Sequence, residues 1–388
     1  MNMEKSGATL QDAEWLKVLE TKVVQGWHHP LSGRLNITAS KLCGGDYNSP
    51  IKAEFWNHHS DGVHKYKGEV QFTINQLRQN NNNLTLTFKS KTKNSKECGT
   101  LLLQNLVTET NYTFGQYLEG GINISAVVCI DFTQSNGEPS DANSLHRINP
   151  AKLNPYQEAI VSVTQILLNY DSDKKIPTYG FGGVPNFPNG ITDNKVSHFF
   201  PCSGDWTNCE GQGVGGVFEL YNNALNYVRL SGPTYFAPLL SELENFTREE
   251  YSKSPDNYTV LLILTDGSIH DMDASIDRIV ALSALPISII IVGIGSANFS
   301  KMVTLDADQE PLVGNNGTQK RDIVQFVPFN KFNGDPMALA ADVLHEVPTQ
   351  VTGFYKSIGK VPNPRRQQDP NNVNEAINKY GITRTGTF

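Results

Sequence analysis

Ile122-Asn123-Ile124-Ser125-Ala126-Val127-Val128-Cys129-Ile130-Asp131-Phe132-Thr133-Gln134-Ser135 is an apolar run that stops on a carboxylate followed by two hydroxyls. Such a run reads as a buried strand, with Asp131, Thr133 and Ser135 leaving its end together. A second strand-like run, residues 260–265, stops in the same way on Asp266-Gly267. Open α/β sheets receive ligands in the crevice at the carboxyl ends of their strands. The two aspartates are therefore expected to meet.

Working outward, the rhythm from about residue 120 onward alternates strands with longer helical periods, which argues for a mostly parallel, doubly wound sheet. Residues 154–170 carry the helical half. Asn154 suits an N-cap, Pro155 the first helical position, and Tyr156, Ile160, Val163, Leu167 and Tyr170 form one apolar stripe at helical spacing. Further strands are expected at 287–292 and 323–327, with helices at 273–285, near 298–305 and from Asp335-Pro336. Gly211-Gln212-Gly213-Val214-Gly215-Gly216 formally fits a dinucleotide fingerprint, but no βαβ unit precedes it, and it reads as a flexible lead-in to a helix over 217–228.

Before residue 110 the pattern differs. Short β runs at 15–24, 31–37, 51–56, 69–74, 84–88 and 100–107 are separated by polar turns, as in an antiparallel sandwich, with Asn80–Asn83 as a loop tip. The stretch beyond about 357 is too polar to bury much surface.

At 388 residues the chain exceeds the size of one core, and two domains are expected. A net charge of -7 and a pI near 5.7 argue against nucleic acid as a partner. The five cysteines are odd in number and scattered, which fits a reducing compartment, and Cys202 and Cys209 with His198 fall short of four closely paired zinc ligands. The N-terminus has no signal core, and no run approaches the ~20 apolar residues that span a bilayer, so the expected location is cytoplasmic. The Asn-x-Ser/Thr sequons at Asn36, Asn111, Asn123, Asn245 and Asn257 are treated as chance for the same reason.

Hydroxyls with outer carboxylates suit a hard cation, magnesium or manganese, better than zinc. Gly232-Pro233-Thr234-Tyr235-Phe236 offers a third hydroxyl on a turn, giving the candidate metal set Asp131, Thr133, Ser135, Thr234 and Asp266. The same residue types are common in ordinary turns, and only their joint register raises them above that. The set resembles the metal-ion-dependent adhesion site of von Willebrand factor A domains, which implies a Rossmann-type α/β fold and a metal completed by an acidic group from a protein partner.

The resemblance narrows to the copine family through Asp131-Phe132-Thr133-Gln134-Ser135-Asn136-Gly137, Asn169-Tyr170-Asp171-Ser172-Asp173-Lys174, Tyr179-Gly180-Phe181-Gly182-Gly183 and Gly232-Pro233-Thr234-Tyr235-Phe236-Ala237-Pro238. Leu264-Thr265-Asp266-Gly267, Pro286-Ile287-Ser288-Ile289-Ile290-Ile291-Val292-Gly293 and Arg321-Asp322-Ile323-Val324-Gln325-Phe326-Val327-Pro328-Phe329 extend it. Copines carry two calcium-dependent, phospholipid-binding C2 domains ahead of the A domain. The resemblance thus implies a partial C2-like sandwich at 14–112, an A domain at 120–356 and a polar tail at 357–388. In the later C2 loop, Trp56-Asn57-His58-His59-Ser60-Asp61 keeps one carboxylate, Asp61, and calcium binding there is expected to be weak or lost.

His28, His29, His58, His59 and His64 could instead be a transition-metal or pH-sensitive cluster, but their spacing fixes no ligand geometry. Lys89, Lys91, Lys93 and Lys96 form a basic stripe that could touch an anionic phospholipid membrane or simply face solvent. The resemblance also implies that the opening strands of this C2-like part have no counterpart in the sequence, which predicts an unpaired sheet edge, completed by another chain or by the N-terminal segment. Two other functions stay open: a structural subunit of a large assembly, and a magnesium-dependent phosphoryl hydrolase with Asp131 as nucleophile. The latter lacks the second carboxylate two residues on that haloacid-dehalogenase-like phosphatases use.

Overall fold

The computed structural model describes residues 2–5, 15–20, 35–59, 62–90, 96–171, 173–192, 194–267, 269–307, 310–332 and 335–364. The chain divides into two units, Met1–Thr110 and Asn111–Phe388.

In the first unit β1 (Asn2–Lys5), β2 (Leu16–Glu20), β3 (Ile51–Asn57), β4 (Lys65–Phe72), β5 (Asn83–Lys89) and β6 (Glu97–Gln104) form one antiparallel sheet. Their order is β2-β1-β3-β4-β5-β6, so the N-terminal residues supply a strand that pairs on both sides. Two short helices, α1 (Ala39–Cys43) and α2 (Ile74–Gln79), were hidden among the expected β runs. The run at 69–74 breaks because Thr73 caps α2, its hydroxyl accepting the Gln76 N–H while the Gln76 side chain accepts the Thr73 N–H. Residues 35–38 are not a strand either, since Thr38 caps α1. Residues 21–34 lie outside the described residues. Cys43, Ile51, Ala53, Phe72 and Phe88 make the core.

The second unit runs α3 (Phe114–Glu119), β7 (Asn123–Asp131), α4 (Pro155–Leu167), β8 (Lys175–Phe181), β9 (Gly183–Pro185), β10 (Phe200–Pro201), β11 (Glu210–Gln212), α5 (Gly213–Tyr227) and β12 (Val228–Leu230). It continues with α6 (Ala237–Lys253), β13 (Asn257–Thr265), α7 (Met272–Leu282), β14 (Ile287–Gly293), α8 (Ser300–Asp306), a small hairpin of β15 (Val313–Gly314) and β16 (Gly317–Thr318), β17 (Val324–Pro328), α9 (Pro336–Val343) and α10 (Val347–Ser357). Strands β8, β7, β13, β14 and β17 are parallel in that order, and β10 and β11 pair antiparallel with β8. This is the doubly wound, mostly parallel sheet that the alternation implied. The order reverses at β7, with β8 on one side and β13 on the other, so Asp131 and Asp266 leave adjacent strands at the topological switch point.

Period-two alternation divides the core between the two faces of the sheet. Ile124, Ala126, Val128 and Ile130 of β7 pack with Tyr156, Ile160 and Val163 of α4, while Val127 and Cys129 pack with Leu239 and Leu243 of α6. Asn154 caps α4 as expected, in a reciprocal box with Gln157. The glycine-rich segment at 211–216 is a correction. It is a short strand followed directly by the first turn of α5, and a side chain on Gly211 would come within 2.5 Å of the Val217 nitrogen. Gly211 and Gly216 serve this close strand–helix approach, each lying where a Cβ on the other would clash. No helix among the described residues is long and apolar enough to cross a membrane.

Candidate metal centre

Beyond β7 the backbone is clamped on both sides. The Phe132 N–H bonds to the Phe181 carbonyl at 2.8 Å, the Ser231 N–H to the Phe132 carbonyl at 3.2 Å, and the Gln134 N–H to the Ser231 carbonyl at 2.6 Å. These bonds hold residues 131–136 between the end of β8 and the loop that follows β12. Thr234 in that loop is tied to the loop after β13, its carbonyl accepting the His270 N–H at 2.9 Å and its N–H facing His270 Nδ1 at 3.3 Å. Asp271 fixes the same turn from the other side by accepting the N–H groups of Phe236 and Ala237 at the start of α6.

Within this frame Asp131 is fully buried and Asp266 is 7% exposed. One oxygen of Asp131 accepts the Thr133 N–H at 2.8 Å, and the other accepts the Thr265 hydroxyl at 2.7 Å. The Thr133 and Ser135 hydroxyls lie 3.0 Å apart, and Ser135 is close enough to the Asp266 carboxyl to counter part of the upward push of burial on it. Burial, and then the charge of Asp266, push the Asp131 carboxyl up to about 7. Burial also raises Asp266. Among the described residues no lysine or arginine pairs with either carboxyl group, so the two acids face each other with only neutral partners and resist ionising together. Asp131, Thr133, Ser135 and Asp266 are thus linked by direct bonds or charge. Thr234, 3% exposed, joins them through the backbone ties of its loop.

This donor set is all oxygen, with uncompensated negative charge, and fits a hard divalent cation such as magnesium or manganese. Among the described residues no group of three or more His, Cys, Asp and Glu is placed to hold a metal, so any ion here must draw on hydroxyls as well as the two carboxylates.

Sequence reasoning missed the layer beneath. His146, fully buried, lies 2.8 Å from the Asp131 carbonyl through Nε2 and 2.8 Å from the Tyr221 hydroxyl through Nδ1. Burial lowers its imidazole to about 3, so it is neutral, with Nε2–H donating to the carbonyl and Nδ1 accepting from Tyr221. Its ring stacks on Phe132 at 5.5 Å and on Tyr156 at 4.3 Å. The Tyr156 hydroxyl donates to Asn136 Oδ1 at 2.7 Å, and Asn136 Nδ2 donates to the Thr133 carbonyl at 3.1 Å. Thr265 was also missed, although it directly precedes Asp266.

In the first unit the His58 and His64 rings lie tilted against each other with centroids 4.6 Å apart, and the His59 N–H faces His64 Nδ1 at 3.4 Å. His28, His29, Asp61, Lys91 and Lys93 lie outside the described residues. Cys202 is buried and Cys209 lies 3.4 Å from the Tyr179 hydroxyl, both as free thiols.

The sequence profile of the copine family matches residues 144–363, a span that includes Thr234 and Asp266 and starts after Ser135. Copine-A of Dictyostelium discoideum is 40% identical over 353 residues, covering 90% of this chain and 58% of that protein. The chain therefore spans less than two thirds of the length of this relative. Among solved structures, the manganese-loaded TRAP protein of Plasmodium vivax is similar at 13% identity and a TM-score of 0.35, over 56% of this chain and 72% of that one. Proximal thread matrix protein 1 of the mussel byssus gives 14% and 0.34, over 56% and 47%. Both overlap too loosely to bear on the site.

Proposed function

The chain belongs to the copine family, and from that premise we propose that its α/β unit is a binding module that captures an acidic side chain of a protein partner through a divalent cation. Asp131, Asp266 and the hydroxyls of Thr133, Ser135 and Thr234 would hold the ion, magnesium or manganese. The observation that carries this reading is the buried pair of aspartates whose hydrogen-bond partners are all neutral.

A bound cation would supply the positive charge that the pair lacks and, with it, the attraction for an external carboxylate. The chain's own residues do the rest. The Thr133 N–H and Thr265 hydroxyl orient Asp131, and the strand ends fix its spacing from Asp266. Asp131 reads as a ligand rather than a phosphoryl-accepting nucleophile because both its oxygens are bonded and its side chain is fully buried, whereas a nucleophile must reach its substrate. We read the first unit as a degenerate C2-like part with weakened calcium-dependent phospholipid binding, and the protein as cytoplasmic, at most peripheral to a membrane.

Calorimetric titration of the wild-type protein and of Asp131→Ala with Mg2+, Mn2+ and Ca2+ tests the site, followed by sedimentation with phosphatidylserine vesicles with and without Ca2+. Binding of Mg2+ or Mn2+ that weakens by at least ~100-fold in a folded Asp131→Ala, with little Ca2+-dependent sedimentation, is expected. A folded wild-type protein that takes no metal would turn the reading toward a structural subunit. Equal binding by the mutant would move the ion elsewhere.

A further inference from the structure

We infer that His146 is the positioning residue of this centre, a buried imidazole that holds the Asp131 backbone where β7 leaves the sheet and so sets the geometry of the whole donor loop. The inference rests on the metal reading above and concerns residues outside the donor set. The last β7 residue paired with β13 is Ile130, opposite Leu264. One residue later the Asp131 carbonyl is received by His146 Nε2–H. A buried carbonyl without a donor would be costly, and here the donor is supplied by a turn fifteen positions away in the chain.

The ring is fixed in every direction that matters. Phe132 and Tyr156 sandwich it, Tyr221 donates to Nδ1 and so keeps the proton on Nε2, and Asn154, the cap of α4, donates to the Tyr221 oxygen at 3.2 Å. The same aromatic plate reaches Thr133 by a second route, through the Tyr156 hydroxyl to Asn136 and from Asn136 to the Thr133 carbonyl. Two members of the donor set therefore stand on one rigid support, and the N-terminus of α4 is locked to it.

The orientation has a further consequence. A histidine this close to an aspartate could have faced its carboxylate and neutralised it. His146 faces the carbonyl instead, leaving both carboxylate oxygens to hydroxyl and amide donors. The support thus positions the loop without removing the negative charge that attracts a cation.

Two substitutions separate the hydrogen bond from the packing. His146→Phe keeps a stacked ring and removes the N–H, whereas His146→Gln loses the ring but keeps an N–H near the Nε2 position. Mn2+ affinity by calorimetry and amide exchange at Thr133 in EDTA are the readouts. His146→Phe should lose about 10- to 100-fold in Mn2+ affinity, and its Thr133 amide should exchange at least ~10-fold faster, with His146→Gln nearer to wild type in both. Tyr221→Phe, which frees the tautomer, should move both readouts in the direction of His146→Phe, and it decides the matter should that variant fail to fold. Wild-type affinity and exchange in a folded His146→Phe, or in Tyr221→Phe if the former does not fold, would overturn the inference. So would equal losses in His146→Phe and His146→Gln that merely track their melting temperatures. If the wild-type protein takes no Mn2+, the metal reading fails by itself, and the Thr133 exchange still decides whether His146 positions the loop.

Discussion

The two units treat polar groups at strand ends in opposite ways. In the α/β unit, adjacent parallel strands deliver Asp131 and Asp266 into one buried crevice, and a second layer of His146, Tyr156, Tyr221 and Asn136 holds the loop that carries them. In the first unit the loop between β3 and β4 carries His58 and His64, both exposed, their rings tilted against each other at 4.6 Å with no comparable layer beneath them among the described residues. A site is built where the backbone around it has no freedom left. A loop held by an exposed ring contact and local hydrogen bonds remains a surface loop, whatever its residue types.

The sharpest way to break this contrast is to titrate it. Burial first, and then the neighbouring charge of Asp266, put the Asp131 carboxyl near 7 in the folded protein, against about 4 in an unfolded chain. The folded state therefore holds this proton more tightly. The contribution is favourable below about pH 4, and the metal-free fold loses it as pH rises toward 7, on the order of a few kcal/mol. A divalent cation must displace the same proton, so apparent Mn2+ affinity should fall about tenfold per pH unit below 7. In EDTA, Asp131→Asn should remove most of the loss of stability between pH 5 and 8. Calorimetry with Mn2+ and urea melts in EDTA, both across pH 5 to 8, read the two effects. A flat profile for both would mean that the pair is not the isolated, cation-demanding centre described above.

How much of this was legible follows from the same contrast. The sheet was legible because parallel strands buried on both faces read as unbroken apolar runs, and β7, β13 and β14 are such runs. Asp131 and Asp266 were legible because each ends one of them. His146 was not, because a single histidine between Leu145 and Arg147 in a turn has no period, and its role depends on which carbonyl the fold places above it. Thr265 could have been found, since it is the residue that carries β13 into the crevice. The helices α1 and α2 carried readable caps in Thr38 and Thr73, the latter with Gln76 three residues on, but each lay within or beside a short apolar run that β periodicity claimed first.

A pair of glycines sharpens the comparison at the level of packing, beginning with the first unit. Gly68 in β4 lies where a Cβ would come within 2.6 Å of Cys98 Sγ and 2.7 Å of the Lys89 carbonyl oxygen. The carbonyl belongs to the partner strand and cannot yield without disturbing the sheet. Gly68→Ala should therefore destabilise the first unit by about 1–3 kcal/mol, and hydrogen exchange across β4 and β5 would show it as lost protection. An unchanged exchange pattern would mean that this sheet is looser than its close strand approach suggests.

Gly353, inside α10 of the second unit, should respond with the opposite sign and the smallest size. No atom lies within 4 Å of the position its Cβ would take, so alanine meets open space there. Glycine inside a helix is less favourable than alanine by about 0.5–1 kcal/mol, because its unfolded chain has more freedom to lose. The neighbours that α10 needs, Val347, Val351, Phe354 and Tyr355, are buried and untouched by the change. Gly353→Ala should thus raise exchange protection along 347–357 by about two- to fivefold and leave Mn2+ affinity at the opposite, carboxyl end of the sheet unaltered. Weaker protection would show that α10 is held by a fit against this glycine rather than by its apolar face. A change in Mn2+ affinity would show that the rigidity on which the centre depends extends through the sheet to its far end.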